Sequence, residues 1–269
     1  MSIIIGYYEP KKTDNLKIPI KNILKEIKNV FESLDIKVKQ IDKDINKDTN
    51  KNIKSVLWVR DPFINIDKKY YIMNLTHNDS TGYDRRFEYL KVLPYLNKKF
   101  NIEIIPKNLQ IEGGDIICDN KNIFIGINKR TSYDSAKYIK NKLTDYNIIT
   151  INHNAIHLDC CLMILPGNKL FYSTRYIKNL PNNVKKSYEC ISVESIIGNK
   201  IDPILATNCV IINNNIITTD QAKFKKFRNY LRKLNYNVIE INYGNLWIHD
   251  GGIRCLIQWI DKPEDLLVY

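Results

Sequence analysis

No stretch of this chain is apolar for the ~18 residues that a membrane-spanning helix needs, so a membrane protein of that type is excluded. Its start, MSIIIGYYEPKK, lacks the basic segment and long apolar run of a secretory leader, and a cytoplasmic protein is expected. No two of its six cysteines (Cys118, Cys160, Cys161, Cys190, Cys209, Cys255) form a CxxC pair. In a reducing compartment that pattern predicts free thiols. His153, His157 and Cys160 stand close together but lack a second ligand pair, so neither a metal site nor a cofactor is expected. Glycine is scarce, 10 in 269 residues, and no Gly/Ser linker or charge block divides the chain. Residues 1–269 therefore read as a single domain, long enough to bury a substantial core. Acidic residues are outnumbered, 29 against 41 basic ones, for a formal charge of +12. The lysines are scattered along whole helices (KNILKEIKNVF, AKFKKFRNYLRKL), and no Gly-Arg repeat, zinc finger or aromatic-basic signature accompanies them. That charge reads as a solvated face, not as a specific nucleic-acid surface.

What is present is a repeat. SYDSAKYIKNKLTDYNIITIN (132–152) parallels QAKFKKFRNYLRKLNYNVIEIN (221–242): an amphipathic helix runs into YN and then a short β-branched strand. IPIKNILKEIKNVFESLDIKVKQI (18–41) has the same plan, as does RRFEYLKVLPYLNKKFNIEIIP (85–106), where Pro94 should kink or end the helix. Ahead of most helices lie two short strands joined by a polar turn, as in DIICDNKNIFIGI, CLMILPGNKLFYS and NCVIINNNIITT. The unit is strand–strand–helix–strand, and five copies fit near 1–42, 53–106, 109–152, 156–193 and 206–260. The fourth is weakest, because 174–190 has a poor helical pattern. Such units cannot each bury a core alone, and an α/β ring around a central channel is the natural arrangement.

The polar residues that interrupt the apolar strands fall at corresponding places. VLWVRDPF carries Arg60 and Asp61 at the end of a strand opening unit two, and IEGGDII carries Glu112 and Asp115 in unit three. AIHLDCCLMIL carries His157 and Asp159 in unit four, and GGIRCLI carries Cys255 on the closing strand of unit five. Singly, these residues fit ordinary structural roles: a turn cap, a satisfied histidine, a buried thiol. Closed into a ring, they would converge. Gly251 and Gly252 would let a substrate approach Cys255 without a Cβ in the way.

The ordered set RD (60–61), EGGD (112–115), HLD (157–159) and GG-x-x-C (251–255) resembles the guanidino-group-modifying superfamily. Its members include dimethylarginine dimethylaminohydrolases, arginine and agmatine deiminases and amidinotransferases. The resemblance spans almost the whole chain and implies a five-bladed α/β propeller of ββαβ units, the pentein fold. It also implies Cys255 as nucleophile and His157 as acid/base, with Glu112 assisting proton transfer and binding the guanidinium, which Asp61, Asp115 and Asp159 can also hold. A guanidinium is planar, cationic and a poor electrophile. Carboxylates bind it through paired charge-assisted hydrogen bonds, a thiolate can attack its carbon, and a histidine can protonate the departing amine. FIGINKRTS (124–132) and DRRFE (84–88) resemble the elements with which the dimethylarginine enzymes grip an α-carboxylate, making Arg130 and Arg85 or Arg86 the expected contacts. Asp159 and the EGGD of Glu112 lean instead toward deiminases and amidinotransferases, and W-x-RD (58–61) faintly resembles agmatine deiminase without its following Gly-Pro. The expected activity is a hydrolase giving citrulline plus an amine through a covalent amidino-cysteine intermediate. The alternatives are an amidinotransferase and a non-catalytic ribosome-binding protein of the same fold. The expected partner is a small guanidino compound, with no specific nucleic acid and no membrane, and a homodimer left open.

Overall fold

Short β-branched runs in this chain pair with their sequence neighbours, because the turns between them accept left-handed backbone. The computed structural model describes residues 1–8, 15–44, 53, 56–75, 85–249 and 251–261. Residues 9–12 of the opening segment, Asp84 of DRRFE and Asp250 beside the glycine pair lie outside these.

β1 (Ser2–Ile5) runs into α1 (Ile20–Ser33) and then β2 (Lys37–Gln40), which is parallel to β1. Ile20, Ile23, Leu24, Ile27 and Phe31 recur at helical spacing and form the buried face of α1. The next unit is β3 (Phe63–Ile66), β4 (Lys69–Ile72), the short α2 (Tyr89–Val92) and β5 (Asn101–Ile104). Asp67 and Lys68 both have positive φ at the β3–β4 turn, the geometry that matches hairpin twist. Pro94 ends α2, and the chain tightens there into a 3₁₀ turn over Leu93–Tyr95. The third unit is β6 (Ile116–Asp119), β7 (Asn122–Ile127), α3 (Tyr133–Lys142) and β8 (Asn147–Asn152). The Ser132 hydroxyl caps α3 by accepting from the Ser135 N–H at 3.2 Å. The fourth is β9 (Leu162–Leu165), β10 (Lys169–Tyr172), α4 (Asn182–Ser187) and β11 (Glu189–Ser192), followed by α5 (Val193–Ile197). Six residues of α4 account for the poor helical pattern of that stretch. The fifth is β12 (Val210–Ile212), β13 (Asn215–Thr219), α6 (Lys225–Lys233) and β14 (Asn237–Ile241).

In each of these four complete units the first two strands are antiparallel and the third is parallel to the second. The five three-stranded sheets are the blades of an α/β propeller. The expected unit boundaries need one correction. β15 (Ile257–Trp259) does not close unit five; it pairs antiparallel with β1, Ile3 opposite Trp259, and is the first strand of blade one. The strand that brings Cys255 therefore belongs to the blade at the other end of the chain. Among the described residues no helix is long and apolar enough to cross a membrane.

Candidate active site

Ahead of the first strand of every blade the chain makes one tight turn, and these five turns meet at the axis. Gly113–Asp115 precedes β6, Leu158–Cys160 precedes β9 and Arg254–Leu256 precedes β15, each as a 3₁₀ turn. Arg60 and Asp61 sit in the turn before β3, not at the end of a strand as expected, since Val56 makes only an isolated bridge to Tyr7. Each turn donates a backbone N–H to the turn of the preceding blade. Arg60 N–H donates to the Cys255 carbonyl (3.3 Å), Gly113 N–H to the Asp61 carbonyl (2.9 Å), and Leu205 N–H to the Cys160 carbonyl (3.0 Å). Leu158 N–H donates to Asp115 Oδ1 (2.9 Å) and Arg254 N–H to Asn208 Oδ1 (2.9 Å). The five links close a circle. Gly113 is required at this approach, because a Cβ there would lie 2.2 Å from the Arg60 carbonyl oxygen.

His157 sits inside the circle between two carboxylates. Its Nε2 is 2.7 Å from Glu112 Oε2 and its Nδ1 is 3.6 Å from Asp61 Oδ1. Burial alone would favour the neutral ring. The charge of Asp61, the hydrogen bond to Glu112 and the charges of Asp115 and Glu112 outweigh it, and the pKa rises to about 10. Burial would raise Glu112, but the His157 hydrogen bond and charge, with Arg85 and Arg130, hold it well below the usual carboxylate range. Arg130 Nη1 lies 3.1 Å from the same Oε2, and 21% of its side chain is exposed. It lines a cleft of about 780 Å³ together with Asn128, His153, Ile156, Tyr176 and Lys178.

The sequence reading placed Cys255, His157, Glu112, Asp61, Asp115 and Asp159 at converging positions, and all six are on or beside the circle. Cys255 Sγ accepts from Asn208 Nδ2 at 3.2 Å, and the same nitrogen is 3.1 Å from Asp159 Oδ1. Asp159 Oδ2 is 3.8 Å from both Arg60 Nε and Arg254 Nε. Burial is the main reason its pKa is raised, against His157 and the two arginines. Asp115 faces the scaffold: Oδ1 accepts from Leu158 N–H and sits 3.0 Å from His153 Nε2, while Oδ2 accepts from the Thr131 hydroxyl at 2.6 Å. The glycine pair serves close packing. A Cβ on Gly251 would lie 2.3 Å from the Trp58 ring and one on Gly252 2.3 Å from Asn208 Oδ1.

Arg85 and Arg86 separate. Arg86 is exposed and stacks its guanidinium over the Phe87 ring. Arg85 is buried, paired with Glu88 (2.9 Å) and Asp61 (3.0 Å), with Glu112 at 3.8 Å. Arg85→Ala would strand those carboxylates, so it should lower the unfolding free energy by about 3–5 kcal/mol. A urea titration measures this, and a change confined to KM would instead mark Arg85 as a substrate contact.

Asn208 was missed. It stands two residues before β12, as Asp61 stands two before β3 and Cys255 two before β15. That shared spacing was the available signal, but a carboxamide is less conspicuous than a charge or a thiol. Among the described residues two groups have donor atoms within 4.8 Å of one another and could hold a metal: Asp61–Glu112–His157 and His157–Asp159–Cys160. Either metal would have to displace the proton on His157.

Residues 8–260 match the family described as N,N dimethylarginine dimethylhydrolase, eukaryotic. A curated relative, N(G),N(G)-dimethylarginine dimethylaminohydrolase of Pseudomonas aeruginosa, is 23% identical over 149 residues, 54% of each chain. The chain spans about half the length of the curated relatives it matches. Among solved structures, SxtG, an amidinotransferase from Microseira wollei, superposes with a TM-score of 0.74 at 16% identity, over 100% of this chain and 96% of its own. The N-terminal domain of ArgZ, a cyanobacterial arginine dihydrolase, gives 0.74 at 18% identity and 98% of both chains. At these identities the likeness to the solved structures is one of fold. The match over residues 8–260 goes further, and by it the chain belongs to the N,N dimethylarginine dimethylhydrolase family.

Proposed function

We propose that this chain is a guanidino-group-modifying hydrolase that converts arginine or an N-methylated arginine to citrulline plus an amine. The observation that carries this reading is a pair of buried carboxylate oxygens with no hydrogen-bond partner, Asp61 Oδ1 and Asp159 Oδ2. Buried acceptors in a native protein are satisfied by something. One of these residues faces His157, and the other shares the Asn208 amide with Cys255. A guanidinium presents planar N–H donors to such acceptors and would bring its central carbon to the sulfur.

In the proposed sequence the Cys255 thiol gives up its proton to solvent, since His157 already carries one, and the thiolate adds to that carbon. The C–N bond to the departing amine breaks, and the amine takes its proton from His157, which is held protonated for this role. An amidino-cysteine remains. Water, deprotonated by the now neutral His157, adds to it, and release of the sulfur gives citrulline. Glu112 orients the imidazole and balances its charge. An amine in place of water would make the same site an amidinotransferase; Asp159 and EGGD lean toward deiminases and amidinotransferases alike.

The test is a panel of arginine, methylated arginines, agmatine and peptidyl-arginine, with citrulline and ornithine measured with and without glycine. Citrulline formation independent of glycine supports hydrolysis, glycine-dependent ornithine supports transfer, and no turnover with salt-dependent ribosome co-sedimentation supports the binding protein. Arg130, the partly exposed cation at the cleft, is the proposed contact for an α-carboxylate. Agmatine lacks that group and should show kcat/KM lower by about a hundredfold or more. Equal use of agmatine and arginine would remove Arg130 from the site.

A further inference from the structure

We infer that Asn208 positions the Cys255 sulfur for attack and supplies it with a hydrogen-bond donor. The inference rests on the reading of Cys255 as nucleophile. Asn208 is fully buried. Its Oδ1 accepts the Arg254 N–H at 2.9 Å, and a backbone N–H can only donate, so the orientation of the amide is settled by chemistry. The Nδ2 group must then face the other way, toward Cys255 Sγ at 3.2 Å and Asp159 Oδ1 at 3.1 Å. One side chain thus grips the backbone next to the nucleophile, the nucleophile itself and a carboxylate proposed to hold the substrate. The absent Cβ of Gly252 is what admits it.

The surroundings leave the sulfur few other partners of this kind. Cys160 Sγ is 3.8 Å from the same nitrogen. The Cys160 thiol donates to Asp159 Oδ1 at 3.5 Å, and hydrogen bonding to Cys255, then burial, push its pKa up. The Tyr243 hydroxyl is committed to the Gly251 carbonyl at 2.6 Å, which fixes the glycine pair and not the sulfur. A charge-assisted N–H bond is stronger to a sulfur carrying negative charge than to a neutral one, and the attacking form is the charged one. Asn208 therefore holds the sulfur more tightly in the state that reacts.

The test is Asn208→Ala, with Asn208→Ser as a second variant should the first not fold. Three quantities are read: kcat, KM and the rate at which iodoacetamide alkylates Cys255 at neutral pH, followed by intact mass against a Cys255→Ser background. The expected result is a kcat lower by about a hundredfold, KM within about threefold, and alkylation slower by about tenfold. A residue that merely holds the fold would differ in KM and in alkylation. Loosening the turn would expose the thiol, speed its alkylation and raise KM along with the loss of kcat. Unchanged kcat, or alkylation as fast as wild type or faster, overturns the inference. If wild-type protein forms no adduct on Cys255 during turnover, it is the nucleophile reading that fails; if it forms one and the Asn208 variants match its kcat, this inference alone fails.

Discussion

Cys255→Ser should abolish turnover, lowering kcat by at least about 10⁴-fold, while the urea midpoint stays near that of the wild type. The substitution preserves shape and leaves an oxygen to accept the Asn208 N–H, but a hydroxyl has neither the acidity nor the nucleophilicity of a thiol. Two other thiols are near enough to be rivals. Cys160 is pushed well above the ordinary thiol range by its hydrogen bond to Cys255 and then by burial, and Cys161 by burial and the charge of Asp115. Both are held as poor nucleophiles. Acid-quenched turnover followed by intact mass and peptide mapping should place the adduct on Cys255 alone. An adduct on Cys161, or an active serine variant, would sink the assignment.

His157→Gln should lower kcat by about a thousandfold, the range expected for loss of a positioned acid and base, and should also change how stability depends on pH. The folded-state pKa of about 10 lies above the unfolded value near 6.5. Stability from that shift is fully present below pH 6.5 and is lost as pH rises through 10. The urea midpoint of the wild type should fall more steeply between pH 7 and pH 10 than that of His157→Gln. Glu112 acts at the other end: its folded pKa is depressed, so its contribution is present above its ordinary value and is lost as pH falls. Parallel midpoint curves for wild type and variant from pH 7 to 10 would mean that His157 is not held charged between its carboxylates.

The repeat was legible because its signals are local. Helical spacing of Ile20, Ile23, Leu24, Ile27 and Phe31, polar hairpin turns and Pro94 each act within a few residues, and each is used as the spacing implies. The convergence of Asp61, Glu112, His157, Asp159 and Cys255 was legible because charge and sulfur stand out among apolar strands. Three features were not. The pairing of β15 with β1 joins opposite ends of the chain, and no local pattern reports such a partner. Asn208 does its work through a neutral amide, and Asn is common throughout this sequence. The glycine pair was read as room for a substrate, whereas Trp58 and Asn208 take that room. A gap left by a missing Cβ does not say what will fill it.

Because Ile3 lies opposite Trp259, the propeller has a seam, and Cys255 sits on it. A ribosome delivers β1 first and β15 last. Until β15 arrives, blade one lacks its first strand and β1 presents an unpaired edge. Two links of the axial circle, Arg60 to the Cys255 carbonyl and Arg254 to Asn208, wait for the same strand. Contacts between the chain's extremes are the slowest kind to form. The carboxylates and His157 belong to blades that can assemble earlier, so a nascent chain can bring these groups together before Cys255 joins them. Docking of the final strand is then both the topological closure of the ring and the moment at which the thiol reaches its partners.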